Sequence, residues 1–163
     1  MSAPAGYGKT TLLSCWVQHC EWAVAWLALD ADDSDPARFL AYLAEALRGA
    51  GVAAEEIAPG GLARLQPFST QTALPALIHG VETAGRALVF LLDDYHLIQS
   101  SPVHDALTYL LDHQPPQMYI VIASRADPPL PLARLRARGR LTELRQSGLR
   151  FTAGEAADFL NRA

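Results

Sequence analysis

Residues 3–10 read Ala3-Pro4-Ala5-Gly6-Tyr7-Gly8-Lys9-Thr10, and a helical pattern opens directly behind them with Thr11, Leu12, Leu13 and Trp16. A loop that wraps phosphate has the form G-x-x-x-x-G-K-[ST]. Its glycines let backbone N–H groups approach phosphate oxygens, its lysine reaches the β- and γ-phosphates, and its hydroxyl ligates Mg²⁺. Gly6, Gly8, Lys9 and Thr10 meet these needs. Ala3 stands where the first glycine is expected, and Pro4 still supports a turn. Ala5, Tyr7 and Thr11 complete the stretch whose backbone faces the anion, and the helix behind aims its N-terminus there. The alternative is a glycine-rich turn that merely precedes a helix.

Composition sharpens the reading of the loop. Only one of the 13 basic residues is a lysine, and it is Lys9. Arginine carries every other positive charge, so the compact three-donor ammonium is kept for the place where it reaches between phosphates. The 163 residues are 50% hydrophobic and 18% charged, which describes one globular domain, residues 1–163. A net charge of −4 argues against the whole chain being a nucleic-acid grip. There is no apolar run of the ~18 residues a membrane helix needs, and no basic-then-apolar leader. Cys15 and Cys20 lack a C-x-x-C spacing and read as reduced thiols, so the expected compartment is the cytoplasm.

Along the chain, apolar runs alternate with helical periodicity, the βα pattern of a parallel sheet. Strands are expected at 23–29, 87–92 and 118–123, with a further one near 141–144. Helices are expected from Thr10 to about Cys20, after Asp35-Pro36, over 73–84, over 103–113, in a short arginine-rich stretch and from Ala153. Asp35 caps the second helix, Pro36 sits in its first turn, and Gly49 and Gly51 end it. Pro59, Gly60, Gly61 and Pro67 mark a connection, and Thr152 with Glu155 forms a capping-box pair.

The run Leu88-Val-Phe-Leu-Leu-Asp-Asp94 delivers two carboxylates to the carboxyl end of a buried strand, the edge where open α/β sheets bind ligands. Asp93 suits a Mg²⁺ ligand beside Thr10, and Asp94 is placed to orient or deprotonate a water attacking a γ-phosphate. Ser124-Arg125 ends the next strand, where Arg125 can touch that phosphate, unless it pairs with Asp127.

These strings also resemble a family. "SAPAGYGKTTLL", "WLALDADDSDPARFLAYLAEAL", "LLDDYHLI" and "ASRADPPLPLARLRARGRLTELR" are similar, over essentially the whole chain, to the ATPase module of the large ATP-binding LuxR-type transcription regulators. Those belong to the signal-transduction ATPases with numerous domains. The resemblance implies a switch, active and self-associating with ATP, resting with ADP. It implies ATP rather than GTP, helped by the lack of an N-K-x-D motif. In that family an effector-binding superhelix and a DNA-binding domain follow the module. Neither is present here, so DNA contact is expected only through a domain outside this chain.

In P-loop folds the loop follows a buried strand, and only Met1 and Ser2 precede Ala3. The expectation is a domain incomplete at its N-terminus, with its first strand truncated, cut from a longer multidomain regulator.

Other signals carry less. Asp30-Ala-Asp-Asp-Ser-Asp35 lacks the glycine and glutamate of a calcium loop and reads as a polar strand-to-helix connection. Cys15, His19 and Cys20 lack the paired spacing of zinc sites. The histidines at 79, 96, 104 and 113 form no meaningful spacing. Between Arg125 and Arg150, seven arginines face two acids, a patch for nucleic acid, phosphate or a neighbouring subunit, or a solvated face. Arg134, Arg136 and Arg138 are candidates for an arginine finger. The reading is an α/β, three-layer P-loop NTPase with a mostly parallel sheet, binding and slowly hydrolysing ATP with Mg²⁺. A metabolic P-loop kinase and a non-catalytic nucleotide-binding scaffold are the alternatives.

Overall fold

Three parallel strands form the centre, in the order β1-β2-β3: β1 Ala23–Ala28, β2 Leu88–Asp93 and β3 Met118–Ile122. The structure is a computed structural model describing residues 1–52, 70–150, 152, 154 and 155. Each strand is a near-continuous apolar run, as a strand covered on both faces requires. Middle strand β2 has all six residues buried. Fully burying one such Leu, Val or Phe contributes about 1.5–3 kcal/mol. The register aligns Ala23 with Leu88 and Met118, and Leu27 with Leu92 and Ile122. The strands therefore end level, with Asp93 and Ser124 at one edge.

Helices cover both faces, which gives the expected three layers. They are α1 Lys9–Gln18, α2 Pro36–Gly49, α3 Thr70–Ala84, α4 Ser101–Asp112, and the short α5 Leu132–Ala137 and α6 Gln146–Leu149. On one face Phe39 and Leu43 of α2, Leu77 of α3 and Leu107 of α4 pack with Phe90 and Leu92. On the other face Leu13 of α1 meets Leu91 and Ala123. That second layer is thin. Leu12, Trp16, Trp22 and Tyr119 stay exposed there, with the Trp22 and Tyr119 rings stacked at 4.8 Å.

Helix α2 follows its sequence signals. The Asp35 carboxylate accepts from the Arg38 N–H at 2.8 Å, and Pro36 opens the helix. At the other end Gly51 adopts φ 76°, its N–H donates to Arg48 O, and the Val52 N–H donates to Leu47 O at 3.0 Å. This pair of reversed bonds satisfies the last carbonyls, and only a glycine takes that φ without strain. The acidic loop before α2 is a polar connection, knit by Arg38 to Asp30, Asp32 and Asp33.

Two expectations need correction. No strand forms over 141–144, where the residues instead run alongside Ser2 and make one isolated bridge at Arg145. Leu141-Thr-Glu-Leu144 has no period-two alternation, and among the described residues this segment bridges only to Ser2, at Arg145. Helix α3 starts at Thr70 rather than Ala73, so Pro75 lies inside it and not in its first turn. The proline- and glycine-rich connection at 59–67 lies outside the described residues, as does most of the stretch where a helix is expected from Ala153. The Thr152–Glu155 capping bonds are present.

Candidate nucleotide-binding site

The phosphate loop is set by two glycines in the left-handed region, Gly6 at φ 81° and Gly8 at φ 69°. A Cβ at either would meet open space, so conformation and not crowding requires glycine there. Gly8 is the N-cap residue of α1, and the Leu12 N–H donates to its carbonyl at 2.8 Å. The first-turn N–H groups of α1 therefore point into the loop, where the helix carries its partial positive charge.

Lys9 opens the helix and is buried. Its ammonium donates to Ala3 O at 2.7 Å and Pro4 O at 2.9 Å, folded back over the loop's own carbonyls. Thr10 is exposed, and its hydroxyl donates to Asp93 Oδ2 at 2.8 Å. The other oxygen of Asp93 accepts from the Asp94 N–H at 2.9 Å. The sequence placed Thr10 and Asp93 in one role on separate elements, and the fold brings them into contact. Ala5 and Thr11 are exposed at the loop and helix start.

Asp94 is the one non-glycine described residue with positive φ, at 55°. Such a conformation is uncommon but open to aspartate, and it turns the chain sharply off the strand end. Its side chain remains 45% exposed. The turn continues into Tyr95, fully buried, whose N–H donates to Ala123 O and whose hydroxyl bonds His104 Nδ1 at 2.8 Å.

His96 is the residue that sequence reasoning passed over. Its ring is largely buried, neither ring nitrogen has a hydrogen-bond partner among the described residues, and Nδ1 lies 3.7 Å from Asp94 Oδ1. Burial, then the nearby Arg125 charge, holds its pKa below the ordinary value. The signal available in the sequence was its place two residues behind Asp94, not its spacing from other histidines.

Arg125 is exposed just past the end of β3, close enough for its charge to weigh on His96. Asp127, its expected competitor for a surface pair, is bound by Arg145 instead. Much of the remaining arginine patch is internally paired. Arg134 binds Asp112 at 2.7 Å, Arg136 binds Glu143 at 2.9 Å, and Arg140 donates to Leu111 O at 2.8 Å. The loop also has an unforeseen brace, because Tyr7 accepts through its hydroxyl from Gln146 Nε2, the first residue of α6.

Fold and loop together define a P-loop nucleotide-binding domain. The chain is 36% identical over 166 residues to the HTH-type transcriptional regulator MalT of Cronobacter sakazakii, 35% over 169 to that of Serratia proteamaculans, and 37% over 166 to that of Klebsiella pneumoniae. Each alignment takes in 99% of this chain and 18% of the relative, so the chain spans about a fifth of those regulators. These relatives are large ATP-binding LuxR-type regulators, and the resemblance carried by the motifs is borne out. No family model matches the chain. Among solved structures, the Aeropyrum pernix ORC1 protein, determined in complex with DNA, matches with a TM-score of 0.55. Identity there is 16%, with 99% of this chain and 41% of that one covered, so the likeness concerns the P-loop α/β fold alone. No helix among the described residues is long and apolar enough to cross a membrane.

Proposed function

We propose that the chain is the ATP-binding and slowly hydrolysing domain of a transcription regulator, an ATP/ADP switch working with Mg²⁺. The observation that carries the reading is the 2.8 Å bond between Thr10 and Asp93, which joins the phosphate loop to the acidic strand end. A hydroxyl and a carboxylate are hard oxygen donors of the kind Mg²⁺ prefers, so the residues present fit that ion. When bound, the ion neutralises charge on the β- and γ-phosphates.

The remaining work falls to the chain's own groups. Lys9 leaves the Ala3 and Pro4 carbonyls for phosphate oxygens, while the amides of residues 5–11 receive the anion at the start of α1. Asp94 orients the attacking water and accepts its proton. His96 Nδ1, 3.7 Å from Asp94 Oδ1, steadies the Asp94 carboxylate once a hydrogen bond closes between them. Arg125 touches the γ-phosphate and registers its loss. Similarity to MalT regulators supports placing this switch in a longer cytoplasmic protein that self-associates and reaches DNA through another domain.

The test is phosphate release from Mg-ATP by the purified protein, with no acceptor added, against Lys9→Ala. Slow release that the substitution abolishes is expected. Turnover only with an acceptor would indicate a kinase, and binding without turnover a scaffold.

A further inference from the structure

From Pro4 to Gly8 every residue of the phosphate loop is exposed except the half-buried Tyr7. Open space surrounds Gly6 and Gly8, so no packing holds the positive φ that both adopt. A glycine gives up more conformational freedom than any other residue when it is fixed, so such a loop needs tying down. Among the described residues, the side-chain hydrogen bonds that do so over 4–8 are Lys9 Nζ to Pro4 O at 2.9 Å and Gln146 Nε2 to the Tyr7 hydroxyl. Phosphate binding removes the first, because the Lys9 ammonium exchanges the Pro4 carbonyl for the anion. The second makes no demand on any group that takes phosphate, and it persists.

Gln146 stands on a well-tied frame. Its neighbour Arg145 forks onto Asp127, with Nη2 to Oδ2 at 3.0 Å, and also pairs with Glu143. Arg136 forks onto Glu143 at 2.9 and 3.0 Å. Leu144 O accepts from the Ser2 N–H at 3.0 Å, and the Gly148 N–H donates to Arg145 O at 2.9 Å. An exposed ion pair is worth little alone, but two-pronged pairs on both carboxylates fix the direction of the backbone that carries Gln146. Segment 143–148 thus holds the loop twice, at its stem through Ser2 and at its tip through Tyr7.

We propose that the Gln146–Tyr7 hydrogen bond couples the phosphate loop to α6 in both directions. Gln146 is a positioning residue. Through Tyr7 it holds the loop amides in the arrangement that receives the anion, so less ordering remains to be done on binding. By the same linkage, phosphate in the loop steadies Tyr7, and Tyr7 steadies the start of α6. The inference rests on the loop being a nucleotide site.

The test measures Mg-ATP affinity by calorimetry for the unsubstituted protein, Tyr7→Phe, Gln146→Leu and the double variant. Each single change is expected to weaken binding about three- to tenfold, the net worth of one hydrogen bond. The double variant should bind no more weakly than either single. Hydrogen exchange at the Gly148 amide is read with and without Mg-ATP. Nucleotide should slow it in the unsubstituted protein by up to the same factor, as reciprocity requires, and leave it unchanged in Tyr7→Phe. Unchanged affinity in both single variants overturns the proposal, as do losses that add in the double. A lower thermal midpoint with affinity unchanged makes the bond a plain structural contact and overturns it too, as does equal slowing at Gly148 with and without the Tyr7 hydroxyl. No Mg-ATP binding by the unsubstituted protein overturns the nucleotide site itself, and this coupling with it.

Discussion

Thr10 donates its hydroxyl to Asp93 Oδ2 across 2.8 Å, closing 83 residues of chain onto one point at the edge of the sheet. Because the two groups already touch, a cation entering there finds its first oxygens in place. The expected outcome of Asp93→Asn is weaker Mg²⁺ dependence of ATP binding, measured by titrating Mg²⁺ at fixed ATP. Asp94→Asn should leave binding unchanged and slow phosphate release by about a hundredfold, the lower range for losing a general base. Indistinguishable, negligible effects from both changes would return Asp93-Asp94 to a plain surface turn.

Lys9→Ala is expected to weaken ATP binding at least tenfold, which corresponds to about 1.4 kcal/mol. The affected ammonium now rests on Ala3 O and Pro4 O, and its exchange of those carbonyls for phosphate disappears with it. Calorimetry gives the answer directly. Unchanged affinity would place the nucleotide elsewhere.

Stability should fall as the medium is acidified below about pH 6.5. Burial lowers the pKa of both His104 and His96 from an ordinary value of 6.5. The unfolded chain therefore takes up protons that the folded chain refuses, and stability is full above 6.5 and lost progressively below it. Burial also raises the Tyr95 hydroxyl pKa, so this partner of His104 Nδ1 stays protonated across the range. Asp127 and Glu143, held low by Arg145 and Arg136, add a further loss in the same direction at more acid pH. Urea midpoints at pH 7.5, 6.5 and 5.5 check the trend. A flat or rising profile on acidification contradicts it.

Two glycines around the end of α2 should respond oppositely to alanine. Gly51 sits at φ 76°, and a Cβ there would strike the Arg86 guanidinium that donates to Ala50 O. Gly51→Ala is expected to destabilise by about 1–2 kcal/mol from the left-handed conformation alone. Gly49 lies within the helix with open space around it. Gly49→Ala should be neutral or stabilising by up to about 1 kcal/mol. Chemical denaturation of the two variants gives the comparison, and equal losses would mean the φ difference is not what matters.

Much of this architecture was legible because local and global demands agree. Leu88–Leu92 has no polar residue to alternate, so only burial on both faces suits it, and Asp35-Pro36 starts a helix wherever it lies. The loop and the acidic strand end were legible because phosphate and metal chemistry dictate residue type as well as spacing. Leu141–Leu144 misled for the opposite reason. Its two leucines flank Thr142 and Glu143 rather than alternating with them, and among the described residues Ser2 bridges the segment at one position only. The place of His96 beside Asp94 was invisible since it comes from a turn that Asp94 creates by taking φ 55°. The Tyr7–Gln146 brace spans 139 residues, and no local pattern announces a contact at that distance.

The bridges from Ser2 to Ser124 and Arg145 also carry a message about time. A chain leaves the ribosome from its N-terminus at roughly 5–20 residues per second. The phosphate-loop stem is made well over a hundred residues before both segments that grip it, Ser124 and Leu144–Arg145. For roughly seven to thirty seconds on that rate, the loop stem exists without the second backbone segment that seats it. Contacts of such sequence separation are also the slow ones in folding. The backbone contacts of Ser2 with Ser124, Leu144 and Arg145 therefore form only after residue 145 has been synthesised.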